Sequence, residues 1–247
     1  MRQFFLQTAA ERGIAMKVEY NPLGDSAIVV AAGEKMNEET TAAVRAIAAA
    51  IEKAAIPEVT DIIQAYVNVT VCYDASGGIT FEEMKERLCA ILKDVQPASS
   101  ETGRTVEIPV CYGGEFGPDL PFVAEHNGLT EKEVIEIHSG GSYDVKMIGF
   151  APGFPFLGGL DERIAAPRRP SPRLEIPART VGIAGSQTGV YPIGTPGGWQ
   201  LIGRTPVDLF LPGEEIPSLL RPGDRVTFRP ITREEYDRKE GARHDQS

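Results

Sequence analysis

The chain has 247 residues, a formal net charge of −10 and an ordinary hydrophobic share of 42%. This acidity argues against binding to a nucleic acid backbone or an anionic membrane surface, since both need clustered lysine and arginine. Its three cysteines, Cys72, Cys89 and Cys111, are widely spaced and form no CxxC pair, which predicts a reducing, cytoplasmic compartment and no zinc site.

Residues 1–15 are interpreted as an extension upstream of the first domain or as a start-site artefact. The segment MKVEYNPLGDSAIVV, which begins at Met16, is typical of the start of a domain. A short helix packed on that domain is the alternative. Residues 1–15 contain no apolar stretch of the length found in signal peptides. No run in the chain approaches the roughly 20 apolar residues of a transmembrane helix.

Residues 16–103 are predicted to form a small α/β domain. Its expected elements are strands at Lys17–Tyr20 and Ala27–Ala31, a helix from the N-cap Asn37 to about Ala54, strands at Val59–Ala65 and Val67–Tyr73, and a helix from a Thr80–Glu83 capping box to about Lys93. The Asn21-Pro22 and Gly24-Asp25 pairs are expected to form the first turn. The order β-β-α-β-β-α predicts an antiparallel sheet with both helices on one face, broadly ferredoxin-like. The polar segment Gln96–Gly103 is the predicted linker.

Glycine and proline concentrate after this linker, where residues 101–230 hold 20 of the 26 glycines and 16 of the 19 prolines. Such a shift predicts a change of architecture. The expected elements are a strand at Arg104–Tyr112, a helix at Asp119–Asn127 with Pro118 in its first position, and a helix from a Thr130–Glu133 capping box to about Ser139. After Tyr143, short apolar runs between glycines and prolines predict a barrel or closed sandwich over residues 104–232. The charged residues 233–247 are expected to be frayed.

Common catalytic and nucleotide-binding motifs are missing from the sequence. It contains no GxxxxGK[ST] loop, no GxGxxG after a strand, no GxSxG elbow and no HExxH. His126, His138 and His244 are too few and too scattered for a convincing metal site, and a lone histidine is more often structural than catalytic.

Three segments of the second part carry most of the functional information. Gly149–Asp161 (GFAPGFPFLGGLD) combines glycines, which let the backbone approach a ligand, with prolines that stiffen the loop; a turn-rich core loop is the alternative. Pro167–Arg173 (PRRPSPR) holds three arginines on a proline-rich loop and predicts an anion subsite, or else a solvated loop paired with nearby acids. Thr195–Thr205 (TPGGWQLIGRT) places the single tryptophan beside polar residues and fits the lip of a polar pocket; a core tryptophan is the alternative.

These segments resemble the family of 5-oxoprolinase subunit PxpB, also named KipI or allophanate hydrolase subunit 1. The matching blocks are LGDSAIVV (Leu23–Val30), VCYGGEFGPDL (Val110–Leu120), MIGFAPGFPFLGGLD (Met147–Asp161), PRRPSPR (Pro167–Arg173), IPARTVGIAG (Ile176–Gly185), QTGVYP (Gln187–Pro192) and TPGGWQLIGRTP (Thr195–Pro206). The resemblance extends over residues 17–230. One departure is Arg179-Thr180, where the family pattern leads us to expect Gly-Ser.

The resemblance implies a small ferredoxin-like N-terminal α/β domain followed by a cyclophilin-like β-barrel. It also implies ATP-dependent opening of 5-oxo-L-proline to L-glutamate, together with a PxpC-type partner subunit and a PxpA-type protein, with ATP and Mg²⁺ as cofactors of the complex. The chain is expected to be inactive alone. Two alternatives share this fold: a KipI-like inhibitor of a sporulation sensor histidine kinase, and a scaffold whose partner performs all the chemistry.

Lactam opening driven by ATP needs positive charge for phosphates, donors for the substrate carboxylate and a proton shuttle. The expected anion-binding residues are Arg168, Arg173 and Arg204, and the expected neutral hydrogen-bonding residues are Gln187, Thr188 and Gln200. The acid–base candidates are His138 and Asp119, which the family pattern places near the glycine-rich blocks; for Asp119 the alternative is a charge in the first turn of a helix. The candidate Mg²⁺ ligands are Glu115 and Asp161; for Asp161 the alternative is a residue that closes a turn. The candidate pocket-lining residues are Phe150, Phe154 and Trp199.

Overall fold

The computed structural model describes residues 18–96 and 103–244, with the side chains of the last two of these left out. Residues 18–96 belong to one compact unit and residues 103–244 to a second. The predicted extension at residues 1–15, and all but the two ends of the predicted linker, lie outside the described residues. Within the described ranges, no helix is both long enough and apolar enough to cross a membrane.

The first unit is a four-stranded antiparallel sheet with two helices. Its elements are β1 (Glu19–Pro22), β2 (Ala27–Ala31), α1 (Glu38–Ala54), β3 (Val59–Gln64), β4 (Asn68–Tyr73) and α2 (Phe81–Leu92), with the sheet order β1-β2-β4-β3. The β-β-α-β-β-α order and the β3–β4 hairpin predicted from the sequence are confirmed. The first strand begins two residues later than predicted, so Asn21 and Pro22 lie in the strand and the turn follows them.

One hydrophobic core holds both helices against a single face of this sheet. In β4 alternate residues are buried, and these side chains face the sheet-facing stripe of α1, which includes Val44, Ile47 and Ile51. Helix α2 adds Met84 and Leu88 to the same core. The predicted caps are also formed: Asn37 Oδ1 accepts a hydrogen bond from the Thr40 amide at 2.8 Å, and Thr80 and Glu83 form a capping box.

The second unit is a closed barrel with helices packed around it. Its elements are β5 (Thr105–Tyr112), α3 (Leu120–His126), α4 (Glu131–Gly140), β6 (Tyr143–Ile148), β7 (Pro155–Gly158), a 3₁₀ turn (Glu162–Ile164), β8 (Arg173–Ile176), β9 (Thr180–Ala184), β10 (Gln187–Val190), β11 (Thr195–Gly197), β12 (Gln200–Arg204), β13 (Arg225–Pro230) and α5 (Arg233–His244). Seven strands close in the order β10-β7-β6-β13-β5-β12-β9, while β8 and β11 pair as a separate ribbon. The predicted α/β unit followed by a barrel is therefore confirmed.

Two details of the second unit differ from the sequence predictions. Pro118 does not open the first helix of the barrel unit, because α3 begins at Leu120 and it is Pro121 that lies in the first turn. The residue before that helix, Asp119, makes no side-chain cap, since its carboxylate is hydrogen-bonded elsewhere. Helix α4 begins at the predicted Thr130–Glu133 capping box and extends to Gly140.

The C-terminal segment is a helix through His244, not the frayed tail that its charge predicted. Tyr236 of α5 is buried and its ring lies 4.5 Å from that of Phe116, between centroids. The Arg233 guanidinium lies 4.6 Å from the same Phe116 ring. These aromatic and cation–π contacts hold the helix on the barrel unit, although the charged composition of the segment predicts fraying.

Arg179 fixes the same helix from the barrel side. It is the position where glycine was expected, and it holds the left-handed conformation at φ 68° that glycine adopts without steric cost. For an arginine this conformation costs about 1 kcal/mol. The side chain is only 8% exposed, and its Nη1 donates to Glu240 Oε2 of α5 at 2.6 Å. The ion pair offsets the backbone cost and anchors the helix.

We predict that Glu240→Ala lowers the free energy of unfolding of the barrel unit by about 1–3 kcal/mol, because it leaves a buried guanidinium without its closest acceptor. Urea denaturation followed by the fluorescence of Trp199, the only tryptophan, reports this unit specifically. Glu234→Ala, on an exposed position of the same helix, is the matched control and should change the midpoint little. Equal midpoints for the two variants would contradict this role of Arg179.

Candidate functional site

A cavity of about 270 Å³ opens beside the β8–β11 ribbon of the second unit. Its lining consists of five aromatic residues, two prolines, two glycines and one arginine: Phe150, Phe154, Phe156, Arg168, Pro172, Tyr191, Pro196, Gly197, Gly198 and Trp199. These residues come from three of the segments singled out in the sequence, 149–161, 167–173 and 195–205, together with Tyr191. The barrel thus brings together blocks that lie far apart along the chain.

Phe154 is the centre of the aromatic wall. It is 1% exposed, and its ring meets those of Phe156, Tyr191 and Trp199 edge to face, with centroid distances of 5.0, 5.2 and 5.5 Å. Edge-to-face pairs of this kind each contribute about 0.5–1.5 kcal/mol beyond the burial of their area. The wall is therefore rigid, and the expectation that Phe154 and Trp199 line a pocket agrees with their positions.

Two positions in the cavity lining restrict which residues can stand there, one through its backbone conformation and the other through its lack of a side chain. Phe150 is 67% exposed and has φ 68°, a conformation that non-glycine residues adopt rarely and that is enriched at functional sites. Gly197 leaves room for the Tyr191 hydroxyl, since a Cβ at this position would lie 2.5 Å from that oxygen. A side chain there would displace Tyr191, so the Pro-Gly-Gly-Trp block keeps the cavity open.

Positive charge lies along the same wall. Arg168 lines the cavity and is exposed. Burial raises the pKa of Tyr191 to about 12, while the nearby charges of Arg168 and Arg173 act in the opposite direction. The phenol therefore stays protonated at neutral pH and remains a hydrogen-bond donor. The cavity therefore suits a ligand that combines an apolar ring with an anionic group.

Asp119 lies at the base of the arginine loop and is almost fully buried. Its Oδ1 accepts hydrogen bonds from Arg173 Nη2 at 2.9 Å and Arg169 Nη1 at 3.2 Å, and its Oδ2 accepts one from the Leu201 amide at 2.7 Å. Both oxygens are thus engaged. The arrangement suits a residue that positions arginines, and a proton-transfer role would first require these bonds to break.

His138 does not lie on the cavity. It is fully buried, and its ring nitrogens are 2.7 Å from the Tyr112 hydroxyl and 2.9 Å from Thr188 Oγ1. Because the Thr188 hydroxyl donates to the Gly182 carbonyl at 3.0 Å, it accepts from His138 Nε2–H, and Nδ1 accepts from Tyr112. Burial lowers the pKa of His138 to about 3. This setting does not fit the predicted acid–base role, because the imidazole stays neutral and out of reach of a ligand in the cavity.

The other predicted polar residues are distributed over different parts of the barrel. Thr188 is buried in the His138 network, and Gln187 lies on β10, where it pairs with Ala184 across the β9–β10 hairpin. Gln200 Nε2 donates to the Pro167 carbonyl at 2.8 Å and so fixes the start of the arginine loop. Arg204 does not join the other two arginines: its Nε donates to the Ala178 carbonyl at 3.1 Å and its guanidinium lies over Phe116.

The two candidate Mg²⁺ ligands do not form a metal site. Glu115 is exposed and pairs with Arg233, and both oxygens of Asp161 accept hydrogen bonds from Arg163, Oδ1 from Nε at 3.0 Å and Oδ2 from Nη2 at 2.7 Å. Hydrogen bonds from Arg163 lower the pKa of Asp161 to about 2. Across residues 18–96 and 103–244, no group of three or more histidine, cysteine or acidic side chains could hold a metal. The residues present do not fit the Mg²⁺ role expected of them.

The structure also adds site residues that sequence reasoning missed. Arg169 joins Arg173 on Asp119, and Phe156 and Tyr191 line the cavity. Arg169 could have been found from the PRRPSPR block, which carries three equivalent arginines. The sequence does not indicate which of the three arginines lines the cavity, as Arg168 does, and which ones pair with Asp119, as Arg169 and Arg173 do.

Known proteins resemble this chain along nearly its whole length. The family described as carboxyltransferase domain, subdomain C and D, matches residues 18–220. The chain is 51% identical over 236 residues to the B subunit of 5-oxoprolinase from Bacillus subtilis, which covers 90% of this chain and 97% of that protein. It is 49% identical over 175 residues to the B subunit of 5-oxoprolinase from Escherichia coli O157:H7, covering 71% and 79%. The crystal structure of a conserved uncharacterized protein from Pyrococcus horikoshii matches with a TM-score of 0.53 and 47% identity, over 88% of this chain and 100% of that chain.

His138 predicts a pH dependence of stability. Its folded pKa of about 3 lies below the ordinary value of about 6.5, so the unfolded chain binds the extra proton between these values. Stability from this group is fully present above pH 6.5 and falls with decreasing pH, at about 1.4 kcal/mol per pH unit. His138→Gln should remove this component from the slope of unfolding free energy between pH 6.5 and 4.5. The exposed histidine variant His126→Gln should keep the slope, and an unchanged slope in His138→Gln would contradict the assignment.

Proposed function

Since the chain belongs to the carboxyltransferase subdomain C and D family, we propose that it is the B-type subunit of an ATP-dependent 5-oxoprolinase. The observation that carries this proposal is the 51% identity to a protein named as the B subunit of 5-oxoprolinase, over 97% of that protein's length. The proposed reaction opens 5-oxo-L-proline to L-glutamate while ATP is hydrolysed to ADP and phosphate. The proposed location of the protein is the cytoplasm, where ATP is available and the three free cysteines stay reduced.

The cavity supports this proposal through its shape and chemistry. 5-Oxoproline is a flat five-membered lactam that carries a carboxylate. Its ring carbons fit against Phe154 and Trp199, which already form an edge-to-face wall, and its carboxylate suits Arg168. The aromatic wall excludes water from one face of the ring, and the fixed backbone at Gly197 and Gly198 brings main-chain polar groups close to the lactam.

The same cavity supports the need for a partner. None of the ten residues that line it, as the structure describes them, carries a carboxylate or an imidazole that could act as a general base. The sequence also lacks a Walker-type phosphate loop. We therefore assign the proton shuttle, and the binding of ATP and Mg²⁺, to the assembled complex with a PxpC-type subunit. The cavity residues of this chain bind and orient the lactam. A PxpA-type protein acts together with the complex.

The proposal predicts partner-dependent turnover. Release of L-glutamate from 5-oxoproline, ATP and Mg²⁺ should be absent with this chain alone and should match ADP formation once PxpC-type and PxpA-type proteins are added. Omission of each protein in turn is the control. A correctly folded, assembled mixture that never releases glutamate would contradict the proposal. Inhibition of sensor histidine kinase autophosphorylation by the chain would then support the KipI-like alternative.

Arg168 is predicted to act on substrate affinity in that assay. Arg168→Gln should lower kcat/KM for 5-oxoproline roughly tenfold to a hundredfold, mainly through KM, because a charge-assisted hydrogen bond to the carboxylate is lost. Arg225→Gln removes the same charge from a site where the guanidinium pairs with Asp144, and it should leave kcat/KM nearly unchanged. If the two variants behave alike, Arg168 does not contact the substrate.

A further inference from the structure

The arginine loop carries more positive charge than its partner can neutralise. Arg169 and Arg173 both donate to one oxygen of Asp119, so their guanidinium groups are close neighbours. The second oxygen of Asp119 is already bound to the Leu201 amide. One carboxylate thus faces two cations, and the cluster keeps an excess of one positive charge in a protein whose net charge is −10.

Each of these arginines also has a buried donor without an acceptor. Arg169 Nε and Arg173 Nη1 are shielded from solvent, yet neither has a hydrogen-bond partner among the described residues. A buried N–H that loses water and gains no acceptor is destabilising, more so on a charged group. Two such donors on adjacent guanidinium groups indicate that an acceptor from outside the chain belongs there.

The backbone holds this arrangement in place before any ligand arrives. The Arg169 amide donates to the Gly198 carbonyl at 2.7 Å, and the Pro167 carbonyl accepts from Gln200 at 2.8 Å, so the loop is attached to the start of β12. Pro170 and Pro172 restrict the loop further. Because Gly198 and Pro172 also line the aromatic cavity, the two unsatisfied donors lie on the loop that forms one wall of that cavity.

We propose that Arg169 and Arg173 form an oxyanion subsite next to the aromatic cavity, with Asp119 as the residue that positions both guanidinium groups. The ligand chemistry is a carboxylate or phosphoryl oxygen pair that accepts one hydrogen bond from each arginine. This subsite is separate from the single contact assigned to Arg168. It rests on the proposed function and deepens it, because an ATP-coupled lactam opening handles both a carboxylate and a phosphoryl group.

Calorimetric titration of the full-length chain tests the subsite without partner or turnover. The ligands are inorganic phosphate, ATP, 5-oxoproline and 2-pyrrolidinone, which is the same lactam without a carboxylate. Arg169→Gln and Arg173→Gln should each weaken oxyanion binding roughly tenfold or more, and the lysine variants should weaken it less, since they keep the charge but lose the planar fork. Binding of 2-pyrrolidinone should not change. Arg225→Gln, which removes an arginine of β13 that is paired with Asp144, is the control.

The outcomes distinguish the source of the oxyanion. Loss of phosphate or ATP binding in the glutamine variants assigns a phosphoryl ligand, and loss of 5-oxoproline binding assigns a carboxylate. Circular dichroism verifies that the variants are folded. If such variants bind every ligand as the wild-type chain does, the subsite is overturned. A chain that binds phosphate through these arginines but never yields glutamate with its partners would refute the proposed function alone.

Discussion

The buried carboxylate of Asp119 is the interaction on which the candidate site depends. Asp119 exchanges hydrogen bonds with Leu201 in both directions: its amide donates to the Leu201 carbonyl at 2.9 Å and its Oδ2 accepts from the Leu201 amide. Through Oδ1 it also holds Arg169 and Arg173. One side chain therefore connects the start of α3, the strand β12 and the arginine loop. An apolar residue here would leave two part-buried guanidinium groups without their shared acceptor and the Leu201 amide without its side-chain partner, which is unfavourable.

The aromatic cavity extends this arrangement. Leu201 and Trp199 belong to the small hydrophobic cluster around Phe154, so the strand that Asp119 fixes also carries one wall of the cavity. Apolar walls, a few fixed donors and nearby positive charge are the features of a site for a small anionic molecule. The ten lining residues, as the structure describes them, contribute aromatic, proline, glycine and arginine side chains, which suit binding a ligand more than transferring its protons.

Much of the fold follows from local signals in the sequence, whereas the site follows from long-range packing. Capping boxes at Thr80 and Thr130 and the alternating burial of β4 identify elements within a few residues. Arg204 could not be placed this way, because a bulge between Leu201 and Gly203 interrupts the alternation of β12 and directs it to Ala178. The surroundings of His138 could not be predicted for a similar reason: its partners Tyr112 and Thr188 lie 26 and 50 residues away, and only the closed barrel brings them together. The C-terminal helix is likewise fixed by contacts with Arg179 and Phe116, which lie far before it in the chain.

If the aromatic cavity binds a small lactam carboxylate, as we propose, the fluorescence of Trp199 should respond to that ligand. This residue is the only tryptophan in the chain and forms part of the cavity wall. Titration of the full-length chain with 5-oxoproline should therefore change the tryptophan emission in a saturable way, with weaker binding in Arg168→Gln. The contradicting result is a tryptophan emission that stays constant up to high millimolar 5-oxoproline, measured on a folded chain that supports partner-dependent turnover. This cavity would then not be the substrate site.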